Sequence, residues 1–334
     1  VSKKALFIFN PLSGKGVIKN KVYEIVDIMV KNDYEVVIHP TQARKDAYHV
    51  VHETGGNYDL IVCGGGDGTL DEVVRGIMRG EHKTPLGYIP AGSTNDFANS
   101  LQLPKRTLKA AKVAVEGKQF PCDVGSFNGK NFVYVAAFGV LTDVSYATNQ
   151  ELKNVLGHAA YVVEGFKRFH GLDSIHMKID FDGKVIEDDF CYGMVGNSAY
   201  VAGMRITYCN EVELDDGKFE IVLIKKPTNP VQLNRILSGM LSLTEEEELI
   251  LIIQASHVKF YCEEPVSWTL DGEFGGEHTQ VEIEVCNKAI ALKVKEDYNP
   301  VYRLRPGQNP TVRMCRTPEE IEPMPQGKAE DETL

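Results

Sequence analysis

"IVCGGGDGTLDE", residues 61–72, carries an apolar strand into three consecutive glycines, then a lone carboxylate, a fourth glycine and a threonine. Gly64, Gly65, Gly66 and Gly68 let the backbone approach a ligand closely. The helix expected to begin near Thr69 points its free N–H groups at the same place. A phosphate fits such a cradle. Asp67 does not, because a bare carboxylate repels phosphate unless a cation lies between them, and hydrated Mg2+ is the economical mediator. Taken alone, the stretch also reads as a strand-to-helix turn with a capping Asp.

The flanking sequence favours the cradle. From residue 5 short apolar strands alternate with amphipathic helices: "ALFIFN", then 17–32, "YEVVIH", 45–55, "DLIVC", 69–80 and "LGYIP". In the first helix Val22, Ile25, Val26 and Met29 follow the i, i+3, i+4, i+7 spacing of one buried face. This is a doubly wound α/β layout, in which ligands bind beyond the carboxyl ends of the strands. The loops expected there read "NPLSGKG" (10–16), "PTQAR" (40–44), "GGGDGT" (64–69) and "AGSTND" (91–96). The first is not a Walker loop, since the GxxxxGK[ST] spacing is absent, yet Ser13, Gly14 and Gly16 can still bind phosphate. In the last, an N-cap explains one of Ser93, Thr94, Asn95 and Asp96 but not all four.

After about residue 120 the texture changes to β-branched and aromatic runs joined by Asn-Gly or Asp-Gly pairs: "SFNGKNF", "DFDGKVI", "LDDGKFE" and "TLDGEFG". Such pairs supply the positive φ angles of tight hairpins, so the second domain should be mainly antiparallel β. Helical interruptions are expected at 151–170 and roughly 229–252. The boundaries read as an α/β domain over 1–120, completed by about 290–310, a β domain over 121–290, and a tail over 317–334. That tail carries six acids and one lysine and is expected to be disordered.

Composition excludes several classes. The 334 residues, 43% hydrophobic, can bury a sizeable core. A net charge of −11 without a basic stripe argues against nucleic acid. No apolar run reaches the ~18 residues a spanning helix needs, and no signal pattern opens the chain, so a cytoplasmic protein is expected. Seven scattered cysteines read as reduced thiols in strands. His158, His170 and His257 show no triad or metal spacing.

Together, "NPLSGKG", "GGGDGTLDE", "PAGSTNDFA" and "LDGE" resemble the diacylglycerol kinase family of bacterial lipid kinases, which is related to sphingosine kinases and more distantly to NAD kinases and phosphofructokinases. The resemblance covers about residues 3–305. It implies a nucleotide-binding α/β domain, a C-terminal β-sandwich domain and an active site between them. By position it assigns ATP contacts to Asn10, Pro11, Leu12, Ser13, Gly14, Thr41, Gly66, Asp67, Gly68, Thr69, Leu70, Asp71, Glu72 and Ser93. It makes Glu273 the general base, with Asp67, Asp96 and Asp271 organising Mg2+ and its waters. In "VELDDGKFE" it implies a structural Mg2+ held by Asp216 and the carbonyls of Glu213 and Lys218; a plain hairpin is the other reading. The chain departs from similar kinases in having Ser93 for their usual Thr, and Asn99 where an Arg often follows "NDFA". The implied partner is a lipid, most simply diacylglycerol, met by reversible peripheral contact with a membrane; a homodimer stays open. The rival readings are an NAD kinase-like enzyme and a catalytically silent nucleotide-binding regulator.

Overall fold

The computed structural model describes residues 2–139, 174–198, 200–201, 204–205, 212–242 and 248–299. The helix expected over 151–170, residues 243–247, the segment from 300 onward with its acidic tail, His158, His170, Cys209 and Cys315 all lie outside them.

Strands β1 (Lys3–Phe9), β2 (Tyr34–Pro40), β3 (Leu60–Gly65) and β4 (Leu86–Pro90) run parallel in the order β2–β1–β3–β4. The helices between and after them are α1 (Val22–Lys31), α2 (Asp46–Thr54), α3 (Asp67–Arg79), α4 (Asp96–Ser100) and α5 (Thr107–Glu116). Because successive strand residues point to opposite faces, β1 serves two cores at once. Ala5, Phe7 and Phe9 pack with Ile25 and Met29 of α1 and with Ala110, Ala111 and Ala114 of α5. Leu6 and Ile8 pack with Ala47 and Val51 of α2 and with Leu70, Val73, Val74 and Ile77 of α3. That two-sided coat is the doubly wound arrangement the sequence implied.

Two helix starts differ from expectation. α1 begins at Val22 rather than residue 17, after short 3₁₀ turns at Ser13–Gly16 and Lys19–Lys21, because Lys21 leaves helical geometry at φ −124°. α3 begins at Asp67, so that carboxylate sits inside the first helical turn.

The remaining strands are antiparallel: β5 (Lys118–Phe127), β6 (Lys130–Phe132), β7 (Val135–Gly139), β8 (Ile175–Phe181), β9 (Lys184–Gly196), the short pair β10 (Tyr200–Val201) and β11 (Met204–Arg205), β12 (Phe219–Lys225), β13 (Ile250–Ala255), β14 (His257–Leu270) and β15 (Glu273–Val294). They enclose an aromatic core in which Trp268 meets Phe127, Phe138 and Phe260 at ring-centroid distances of 5.2, 4.8 and 5.1 Å. Three of the four predicted hairpin dipeptides hold both residues at positive φ: Asn128-Gly129, Asp182-Gly183 and Asp271-Gly272. In the fourth, only Gly217 is left-handed.

The helix expected over 229–252 is a correction. α6 covers only Pro230–Ser242, and the run from Ile250 is β13, paired with β12. Its consecutive branched residues Ile250, Leu251, Ile252 and Ile253 suit a pleated strand and carry no 3.6-residue period. The five described cysteines, at 63, 122, 191, 262 and 286, are free and all lie in strands.

β15 joins the two halves. Its first stretch pairs with β14, its later residues pair with β5, and Leu292 lies beside Leu86 of β4 in parallel. Between Cys286 and Ile290 the ladder with β5 breaks in a bulge. There Lys288 is left-handed (φ +48°), and its N–H donates to Asp123 Oδ1 at 2.6 Å. Asp123 Oδ2 accepts from Gly217 N at 2.7 Å. One fully buried carboxylate therefore holds both the corner of β15 and the 213–218 loop. Asp123→Ala should lose about 3 kcal/mol, since two charge-assisted bonds vanish and two N–H groups are stranded. Denaturant unfolding with an unchanged midpoint would contradict this, and Asp123→Asn should fall between.

Candidate active site

Three of the predicted loops meet at the carboxyl end of the parallel sheet by direct backbone contact. Gly14 is left-handed (φ +56°), and a Cβ there would lie 2.3 Å from the Ala91 carbonyl oxygen. A Cβ on Gly92 would lie 2.8 Å from Gly66 Cα. Only glycines permit both approaches. Asn10 N donates to Gly64 O at 2.9 Å and Ala91 N to Gly65 O at 2.7 Å, while Thr41 N donates to Phe9 O at 2.8 Å. The polar side chains set the loop shapes. Asn10 Oδ1 accepts from Leu12 N at 2.9 Å; Asn95, left-handed at φ +53°, exchanges two 2.7 Å bonds with the backbone of Gly92.

The predicted nucleotide contacts therefore divide. Asn10 through Gly14, Thr41, Gly66, Gly68 and the exposed Ser93 line the rim. Thr69 is buried beneath Gly65, and Leu70 faces the core. Glu72 turns to the β2–α2 loop, where its Oε1 accepts from Lys45 N at 2.7 Å.

Asp67 and Asp96 stand at the starts of α3 and α4. Asp67 Oδ2 accepts from Asp96 N at 3.3 Å, whereas its buried Oδ1 has no hydrogen-bond partner. Burial, and then the Asp96 charge, push the Asp67 carboxyl up to about 6 despite backbone N–H bonds that oppose the shift. An orphaned, desolvated carboxylate oxygen beside a second acid fits a cation with its water shell.

Asp271 is placed differently from a solvent-facing metal ligand. Its Oδ2 accepts from Val133 N at 2.6 Å, and its Oδ1 accepts from Tyr134 N at 2.9 Å and Val135 N at 3.0 Å. Asp71 lies against it. Burial raises both carboxyls; the three N–H groups restrain Asp271, while the Asp271 charge raises Asp71 further. Arg75 Nε is 2.9 Å from Asp71 Oδ1, but its proton points at the Asn131 carbonyl oxygen, also 2.9 Å away. The contact with Asp71 is thus one of charge, and the hydrogen bond ties α3 to β6.

Glu273 opens β15 directly after this buried turn. Its Oε2 accepts from Arg44 Nη2 at 2.7 Å, so an acid from the β half meets an arginine of the β2–α2 loop across the cleft. Beneath, Ser100 Oγ of α4 lies 2.7 Å from Ser198 Oγ, a second buried tie between the halves. Sequence reasoning quoted "PTQAR" but took only Thr41 from it, and Arg44 was missed. Its only local signal was a basic residue in a strand-end loop.

The 213–218 loop lies beside Asp123, apart from these residues. Asp216 Oδ1 accepts from Lys218 N at 2.9 Å, and burial followed by the Glu213 and Asp123 charges raises its carboxyl. Among the described residues, His257, Glu282 and Glu284 also cluster. They are at the far end of β14 from Asp271, and Lys259 already pairs with Glu282 at 3.0 Å.

A parallel α/β half with glycine-lined loops at its strand ends, joined to an antiparallel β half that presents an acid, is a layout suited to phosphoryl transfer. The sequence pattern described as "Diacylglycerol kinase catalytic domain" matches residues 4–127, and that described as "YegS C-terminal NAD kinase beta sandwich-like domain" matches 134–294. A diacylglycerol kinase from Bacillus subtilis (strain 168) is 33% identical over 277 residues, covering 82% of this chain and 91% of the relative. One from Staphylococcus aureus (strain JH9) is 32% identical, covering 82% and 87%. A crystal structure of a diacylglycerol kinase from Bacillus anthracis str. Sterne aligns at 25% identity and TM-score 0.71, covering 89% and 99%. Another solved structure from that organism reaches 27% and 0.77, covering 89% and 97%.

The chain belongs to the diacylglycerol kinase family, a family of lipid kinases. It is an enzyme, a kinase whose acceptor is an alcohol group, and its two halves are that family's α/β catalytic and β-sandwich-like domains.

The Asp67 shift has a sign that stability can read. The folded state holds this proton more tightly than the unfolded chain, whose Asp titrates near 3.8. Its contribution therefore favours folding below about pH 4 and is lost as pH rises through about 6. In chelator, Asp67→Asn should match wild type near pH 4 and exceed it above pH 6.5 by up to about 3 kcal/mol. Thermal unfolding across pH 4–8 checks this; a constant difference would contradict it.

Proposed function

We propose that the chain is an ATP- and Mg2+-dependent diacylglycerol kinase that makes phosphatidic acid at a membrane surface. The observation that carries the reading is the Glu273 carboxylate, set directly after the buried Asp271 turn and meeting Arg44 of the β2–α2 loop of the α/β half. The acceptor oxygen bonds to the γ-phosphorus as the bond to the β–γ bridging oxygen breaks; the hydroxyl proton passes to Glu273 and ADP leaves.

The 10–16, 64–68 and 91–96 loops would hold the nucleotide phosphates through backbone N–H groups, with Asn10 and Asn95 keeping the loops in shape. The orphaned Asp67 Oδ1 and the neighbouring Asp96 would hold Mg2+ through its waters. Once bound, the ion neutralises phosphate charge, the main requirement of phosphoryl transfer. Asp271, with its oxygens engaged by backbone, acts as the positioning residue for Glu273. Asp216, with the Glu213 and Lys218 carbonyls, would hold a structural Mg2+, which its neighbouring acids favour.

Among the described residues no helix is long and apolar enough to cross a membrane, so the lipid is met by peripheral contact in this reading. Residues 121–290 would supply the acceptor side and 1–120 the nucleotide side. The named relatives support diacylglycerol as the acceptor.

Glu273→Gln should lower kcat on micellar diacylglycerol by ~10²- to 10⁴-fold, the usual contribution of a positioned proton acceptor, and leave ATP affinity nearly unchanged. A drop below threefold would remove Glu273 from the mechanism. Wild type that phosphorylates a soluble dinucleotide but no lipid in vesicles or micelles would replace the lipid reading by the NAD kinase-like one.

A further inference from the structure

Arg44 has no role in the reading above. The loop around it is fixed: Gln42 N donates to Asp46 Oδ2 at 2.7 Å, and Lys45, left-handed at φ +66°, gives its N–H to Glu72. The Arg44 side chain nonetheless stands 72% exposed, against 46% for its partner Glu273. An anchored backbone thus presents an exposed guanidinium beside Glu273. An exposed ion pair of this kind is weak enough to exchange partners.

The cleft is rich in acids, with Asp67, Asp71, Asp96, Asp271 and Glu273. Of the two arginines near these acids among the described residues, Arg75 is committed to Asn131 and Asp71. Arg44 engages Glu273 through Nη2, and the rest of its five-donor fork points elsewhere. A base must lie ~2.6–3.2 Å from the hydroxyl it deprotonates, and that oxygen sits ~3–3.5 Å from phosphorus in a reactive pose. A guanidinium touching the base is therefore within one side-chain swing of the γ-phosphoryl oxygens.

We propose that Arg44 binds the transferring γ-phosphoryl group, with Glu273 as its resting partner. Arrival of the triphosphate draws the guanidinium onto phosphate oxygens, its planar fork matching them better than one carboxylate oxygen does. The same exchange frees the Glu273 carboxylate to face the acceptor hydroxyl. This inference rests on the kinase reading and adds a phosphate ligand to it.

The test compares ATP with ADP, which lacks the group in question. Titration calorimetry with Mg2+ on the full chain should show Arg44→Gln weakening ATP by ~10-fold while ADP changes less than twofold. On micellar diacylglycerol, kcat should fall by roughly 10- to 100-fold, the order expected for one donor to developing charge. Arg44→Lys should recover part of both losses by keeping the cation. Equal weakening of ATP and ADP would mark a merely structural role and overturn the proposal, as would unchanged ATP affinity together with unchanged kcat. A wild type that phosphorylates no lipid would sink the acceptor assignment alone, because the ATP–ADP comparison needs no acceptor.

Discussion

The Asp271 carboxylate accepts N–H bonds from three successive residues, 133–135, and Asp271 N returns one to the Val135 carbonyl. A hairpin tip would otherwise be the loosest part of a β domain. Here the tip is clamped by charge-assisted bonds in a buried setting, where such bonds are strongest. Glu273, two residues on, follows directly from that clamped tip and meets Arg44 of the β2–α2 loop. The same turn presses Asp271 against Asp71 of α3, so the clamp also sets how closely the β half sits on the helix that begins at Asp67.

That closeness has an electrostatic cost. Four Asp carboxyls gather at the starts of α3 and α4 and at the β14–β15 turn, and the half-buried Arg75 is a counter-charge beside them. Helix N-termini relieve Asp67 and Asp96, three backbone N–H groups relieve Asp271, and Arg75 lies beside Asp71. Asp67 Oδ1 has no hydrogen-bond partner. Local rules of stability are broken at this oxygen, which is where a site that recruits a cation would break them.

Much of this was legible because it is local. Alternating apolar residues in β1 and β3, glycines at the strand ends and Asn-Gly or Asp-Gly pairs each act within a few residues. Their reading gave the parallel α/β layer and the hairpins, but not the strand order. Residues whose partners are distant in sequence stayed opaque. Asp271 looks like any type I′ turn Asp until residues 133–135 are brought to it, and Asp123 is silent until a bulge 165 residues away offers its N–H. Arg44 meets Glu273 across 229 residues. The Ile-rich run of β13 was misassigned for the opposite reason: its local pattern is apolar throughout, so periodicity had nothing to measure.

The frame that brings these distant partners together is backbone rather than side chain. β15 begins at Glu273 and, after its bulge, lies beside β4, whose next residues form the 91–96 loop. Acid and cradle are thus ends of one hydrogen-bonded ladder. Exchanging side chains around Glu273 leaves that frame in place, whereas the corner at Lys288 and Asp123 governs where the Glu273 end of β15 lies relative to the strand-end loops. In the proposed reading, an acceptor of different bulk needs only different side chains, and a different distance between base and donor requires a different corner.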